Sequence, residues 1–118
     1  MGIRGFPPYI ALVDVLDRPL DFRYRLMGVA VIAENARSLK GRTLRELIDH
    51  DPDKREMFDL CERAVQSRNP VFAEVEYENV RGAIKSALIG ALPLVAPPKV
   101  SSLLIGIFYF DSLSPNPA

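Results

Sequence analysis

The chain has 118 residues, 48% of them apolar and 25% charged, which suits one globular domain with a single core. Fifteen Lys and Arg balance fifteen Asp and Glu, so no net field draws the chain to nucleic acid, and none is expected as a partner. One cysteine rules out an internal disulfide and a Cys-rich metal site. With no signal-like N-terminus and no spanning apolar run, a cytoplasmic location without membrane contact is expected.

The opening GFPP should be irregular, because its prolines remove backbone donors and restrict φ. YIALVDVL (9–16) is β-branched and apolar, as a strand covered on both faces requires. DRPLD (17–21) carries turn chemistry and predicts a hairpin into FRYRLMG (22–28). There Phe22, Tyr24 and Leu26 alternate with Arg23 and Arg25, and Gly28 ends the run.

The period then changes. Two short helical pieces are expected over 29–36 and 43–49, the second opened by Thr43 with Glu46 completing a capping box. A longer helix is expected over 52–67, capped by Asp51 with Pro52 at its first position. Its apolar stripe is Met57, Phe58, Cys61, Ala64 and Val65, and Asn69-Pro70 stops it.

Three strands follow. VFAEVEYEN (71–79) sets Val71, Ala73, Val75 and Tyr77 against Glu74, Glu76 and Glu78. A strand over 83–94 sets Ala87, Ile89 and Ala91 against Leu88, Leu92 and Leu94. VAPPKVS (95–101) is expected as an exposed loop. A last strand over 102–111 sets Leu103, Ile105, Ile107 and Tyr109 against Leu104, Phe108 and Phe110. One domain over 1–113 and a flexible tail over 114–118 complete the reading.

Strand, strand, helices, then a three-stranded meander describe an α+β domain with one antiparallel sheet and helices on one side. This order resembles that of PAS domains. The local sequence does too: FPPYIALVDV, FRYRLMGVAVIAE and SLKGRTLREL are similar to stretches of a family of small, stand-alone bacterial PAS-like proteins. The resemblance covers nearly the whole chain and is most specific from FRYRLMG to KGRTLREL. It departs at NARSL, where that family tends to a glycine-containing turn. It also departs at the N-terminus, where the family carries a longer segment packed on the sheet. The resemblance implies a profilin-like, five-stranded sheet in the order 2-1-5-4-3 and a sensor or interaction module rather than an enzyme.

Three clusters have a chemical reading and an ordinary one. His50 in DHDPD could act as a base or ligate a metal, but aspartates at a helix start are ordinarily solvated partners of the helix dipole. No catalytic residue and no metal ligand is assigned. Cys61 could be a nucleophile, but on an apolar stripe it reads as a small hydrophobe. Neither haem nor a flavin adduct is expected by the resemblance, since His50 precedes the long helix and Cys61 lacks the light-sensing motif. No other cofactor is indicated. Arg23 and Arg25 lack a phosphate loop and read as the polar face of an edge strand.

Two functions are expected. One is a sensory, signalling module with a pocket for a small hydrophobic or aromatic molecule between the long helix and the sheet. Phe22, Tyr24, Leu26, Val31, Ile32, Met57, Cys61, Val75 and Tyr77 would line it. Such a module needs a separate signalling protein, because the chain carries no output domain. The other is an interaction or dimerisation module with a filled core. The central strands are apolar on both faces and helices cover one, so a homodimer through the outer face is expected. Arg23 and Arg25 of one copy would meet Glu74, Glu76 and Glu78 of the other.

Overall fold

The elements follow the periodicities closely: β1 (Ile10–Leu16), β2 (Asp21–Met27), α1 (Val29–Asn35), α2 (Leu44–Ile48), α3 (Lys54–Ser67), β3 (Val71–Glu78), β4 (Ile84–Ala96) and β5 (Lys99–Asp111). The computed structural model describes residues 5–78 and 81–111; the expected tail over 114–118 lies outside them. The sheet is antiparallel throughout, in the order β2-β1-β5-β4-β3. The chain is thus an α+β domain of the expected strand order.

Register assigns the faces. Val13 pairs with Leu103 and Tyr24, Ile89 with Ile107 and Ala73, and these rows look toward the helices. Ala11, Val13, Phe22, Leu103 and Ile105 are buried there with Leu44, Phe58, Leu60 and Cys61 of the helices. α3 packs across β2, β3, β4 and β5, and α2 packs on α3 and β2. The apolar stripe of α3 is the lid of this core. Phe22 and Phe58 meet edge to face at 5.2 Å, and the Arg45 guanidinium stacks on Phe58 at 4.9 Å.

Helix starts are set by different devices. Thr43 Oγ1 accepts from the Glu46 N–H at 3.3 Å while Glu46 Oε1 accepts from the Thr43 N–H at 2.8 Å, the capping box expected of α2. The Thr43 N–H, with Arg42 beside it, holds the Glu46 carboxyl below its usual range. α1 has no side-chain cap; the Pro8 carbonyl accepts from the N–H groups of Ala30 and Val31 at 3.0 and 3.3 Å.

Three expectations are corrected. α3 begins at Lys54 rather than at 52: Asp51 accepts from the Asp53 N–H at 3.1 Å through its carboxylate, forming a tight turn before the helix. VAPPKVS is not a loop. Val95 pairs with Val100 and Ala96 with Lys99 after a register shift at Leu94/Val95. The hairpin therefore closes on Pro97 and Pro98, whose missing donors cost nothing at the tip.

The third correction concerns β2. Between Leu12 and Val13 the pairing shifts, so Leu12 faces Leu26 and Val13 faces Tyr24, leaving Arg25 as the extra residue of a β-bulge. Alternation after Arg25 is inverted. Leu26 lies on the outer face beside Leu12, and Met27 takes the inward position and is buried.

Candidate functional site

α1, α3 and the β3–β4 side of the sheet do not close on one another completely. Between them lies a cavity of about 170 Å³. Its apolar wall includes Tyr24, Val31, Met57, Leu60, Val75 and Ile107, with Ala73, Ala87 and Ile89 on the sheet beneath. The small side chains at 73 and 87 are the reason for the space: alanine on two neighbouring strands leaves room that a larger residue would fill.

The mouth is polar and held by two links. The Tyr77 hydroxyl donates to Glu34 Oε2 at 2.6 Å, joining the edge strand β3 to α1. Lys54 Nζ donates to Asn35 Oδ1 at 3.2 Å and pairs with Asp51 at 3.3 Å, joining the start of α3 to the end of α1. Asn35 is itself positioned by donating to the Val31 carbonyl at 2.8 Å. The arrangement offers an apolar slot with hydroxyl, amide, ammonium and carboxylate groups at its opening. It can hold a ring or short chain and orient one polar end.

Of the nine expected pocket residues, Tyr24, Val31, Met57, Val75 and Tyr77 line this cavity. Phe22 and Cys61 do not: both are fully buried in the packed core. Ile32 is half-buried against that core, and Leu26 is on the opposite face of the sheet. The residues missed by sequence reasoning are the alanines that make the space and the polar group Glu34, Asn35 and Lys54 at the mouth. The alternation of β3 with 83–94 carried the first; nothing local in the sequence brings 34, 35, 54 and 77 together.

Cys61 is inert. Burial pushes its thiol up to about 12 from an ordinary 9.0. A thiol reagent at pH 8 is expected to leave it unmodified in the native protein and to label it only across the unfolding transition. Rapid labelling in native buffer would contradict this burial. Since the folded pKa is the higher one, this thiol's stabilising contribution is present below pH 9.0 and is lost as pH rises toward 12. His50 is exposed. Among the described residues, no three His, Cys, Asp or Glu side chains gather to hold a metal.

The outer face of the sheet is a second surface of note. Phe72, Leu88, Leu92 and Phe108 are exposed on it, Phe108 by 73%, and Leu12, Leu26 and Leu104 are half-buried among them. Charges stand at two corners. On β2 are Arg23 and Arg25, the latter donating to Asp14 through Nε at 2.8 Å, a bond that raises the Arg25 pKa further. On β3 are Glu74, Glu76 and Glu78, all exposed. No helix among the described residues is long and apolar enough to cross a membrane. Comparison with protein families, with curated proteins and with solved structures returns no match.

Proposed function

We propose that this chain is a PAS-like sensory module. It holds a small hydrophobic or aromatic molecule between α3 and the sheet, and it acts in the cytoplasm on a separate signalling protein. The observation that carries the proposal is the cavity: apolar inside, polar at its mouth, with α1 tied to the edge strand by the Tyr77–Glu34 bond and to α3 by the Lys54–Asn35 bond. An occupant of the slot would bear directly on α1 and α3, and so convert binding into a helix displacement that a partner can sense. The volume of about 170 Å³ suits a body near the size of one aromatic ring. No step of chemistry is assigned to the site.

Native mass spectrometry of protein purified from cells is expected to show a retained small molecule. Indole or benzoate added to stripped protein is expected to raise the thermal midpoint. Ala87→Leu, which fills the floor, should abolish both effects while leaving the fold intact. No retained mass and no shift with a panel of aromatic and aliphatic probes would sink the sensor reading. It would favour the second one, an interaction module with a filled core. That second reading rests on the outer sheet face, where the exposed apolar residues favour a homodimer in either case.

A further inference from the structure

The charged corners of the outer face are not opposite one another across the sheet; they are diagonal. Arg23 shares a row with Asp14, Ser102 and Leu94, whereas Glu74 shares a row with Leu88 and Phe108. Four strand spacings of about 4.8 Å and six residues of about 3.4 Å separate the rows' ends, so the offsets across and along the sheet are each about 20 Å. Arg23 and Glu74 are both exposed. Neither is in an ion pair among the described residues.

A two-fold axis lying between two stacked sheets acts on each sheet as a mirror line in projection. An axis along the strands would carry Arg23 past the start of β3. An axis across the strands would return the basic edge onto itself. Only a line at about 45° to the strands exchanges the two corners, and it makes the strands of the two sheets cross at about 90°, one of the two usual sheet packings. We infer that the chain forms a homodimer of orthogonally packed sheets, with Arg23 of each copy on Glu74 of the other and the two-fold axis passing beside Gly106. This inference rests on the homodimer proposed above and is independent of any ligand.

The apolar face fits that axis. Gly106 lies at the middle of β5 with nothing within 4 Å of where a Cβ would stand. Its row continues into Ile10 on one side and Gly90 on the other. The diagonal operation sets Phe108, the most exposed of the large apolar side chains on this face, over Leu26 at the β2 edge of the second copy. It sets Leu88 beside the same Leu26 and brings Leu92 onto its own counterpart near the axis. Phe108 and Leu88 thus meet an apolar edge, and the contact is isologous as a two-fold requires. Asp14 tempers the basic corner through Arg25, which leaves Arg23 as the residue that reads the partner's charge.

The test uses the full chain. Sedimentation of the unaltered protein at tens of micromolar is expected to give a dimer. Arg23→Glu and Glu74→Arg should each weaken it by about tenfold or more, because each places two pairs of like charges together. An equimolar mixture of the two variants should dimerise again, since every facing pair is then opposite in sign. Circular dichroism of both variants should match that of the unaltered protein, as both sites are exposed. A short bis-maleimide should join Gly106→Cys to itself and fail to join Phe108→Cys, with buried Cys61 as a silent background. A dimer that the charge variants do not weaken, or that their mixture does not restore, would overturn the diagonal axis while leaving the homodimer. A monomer would overturn both, and in neither case would a retained ligand be affected.

Discussion

Gly28→Ala is expected to destabilise the protein by about 3 kcal/mol or more, among the largest effects of any single methyl addition to this chain. The reason is steric rather than conformational. Gly28 has φ −68° and ψ 156°, which any residue adopts. A Cβ at this position would stand 2.3 Å from the carbonyl oxygens of both Pro7 and Pro8. These are backbone atoms, and they are already committed: the Pro7 carbonyl accepts from the Ile10 N–H at 3.4 Å, and the Pro8 carbonyl takes the first N–H groups of α1. Relief of the clash must break the bonds that start α1. Urea unfolding measures the loss, and amide exchange should locate it in α1, with Val31, Glu34 and Asn35 of the cavity wall. Gly106→Ala, where a Cβ meets nothing, is the control and should be close to neutral. Equal midpoints for the two variants would refute the steric argument.

The same position shows what a sequence can and cannot disclose. Gly28 is legible as a strand end, because the alternation of FRYRLMG stops there. Its close approach to Pro7 and Pro8 is a non-local event with no local pattern. The inner and outer faces of β4 and β5 were legible because burial on an antiparallel sheet follows a period of two, and the alternation of buried Ile89 and Ala91 with exposed Leu88 and Leu92 follows it. Leu26 broke the rule because a bulge adds one residue without changing composition: Arg25 is as polar as any edge residue, and only the partner strand reveals the shift. The two prolines in VAPPKVS look like a long loop, yet two residues are all that the hairpin uses. For the site, five of nine lining residues followed from which faces meet, whereas the space itself comes from Ala73 and Ala87 on adjacent strands. A cavity is a property of what a core lacks, and periodicity reports only what it contains.

Phe22 is where core and site separate, although sequence reasoning places it in the pocket lining. It is fully buried, with its ring edge to face on Phe58 at 5.2 Å and no part on the cavity. Phe22→Ala is expected to cost about 4 kcal/mol, from lost transfer energy, the void left behind and the lost ring pair. The void would open between β2 and α3, with Phe58 and its Arg45 cover as the neighbours left to collapse into it. Phe22→Leu should recover most of the stability, since volume rather than aromaticity dominates. The functional expectation runs the other way. At a temperature where the alanine variant is folded, its binding of indole or benzoate per folded molecule should match the unaltered protein. Val75→Phe, on the cavity wall, should lose that binding while unfolding at nearly the same midpoint. If Phe22→Ala instead removed binding with little change in the unfolding midpoint, the slot would extend beneath β2, and its floor would be the Phe22–Phe58 pair rather than the alanines of β3 and β4.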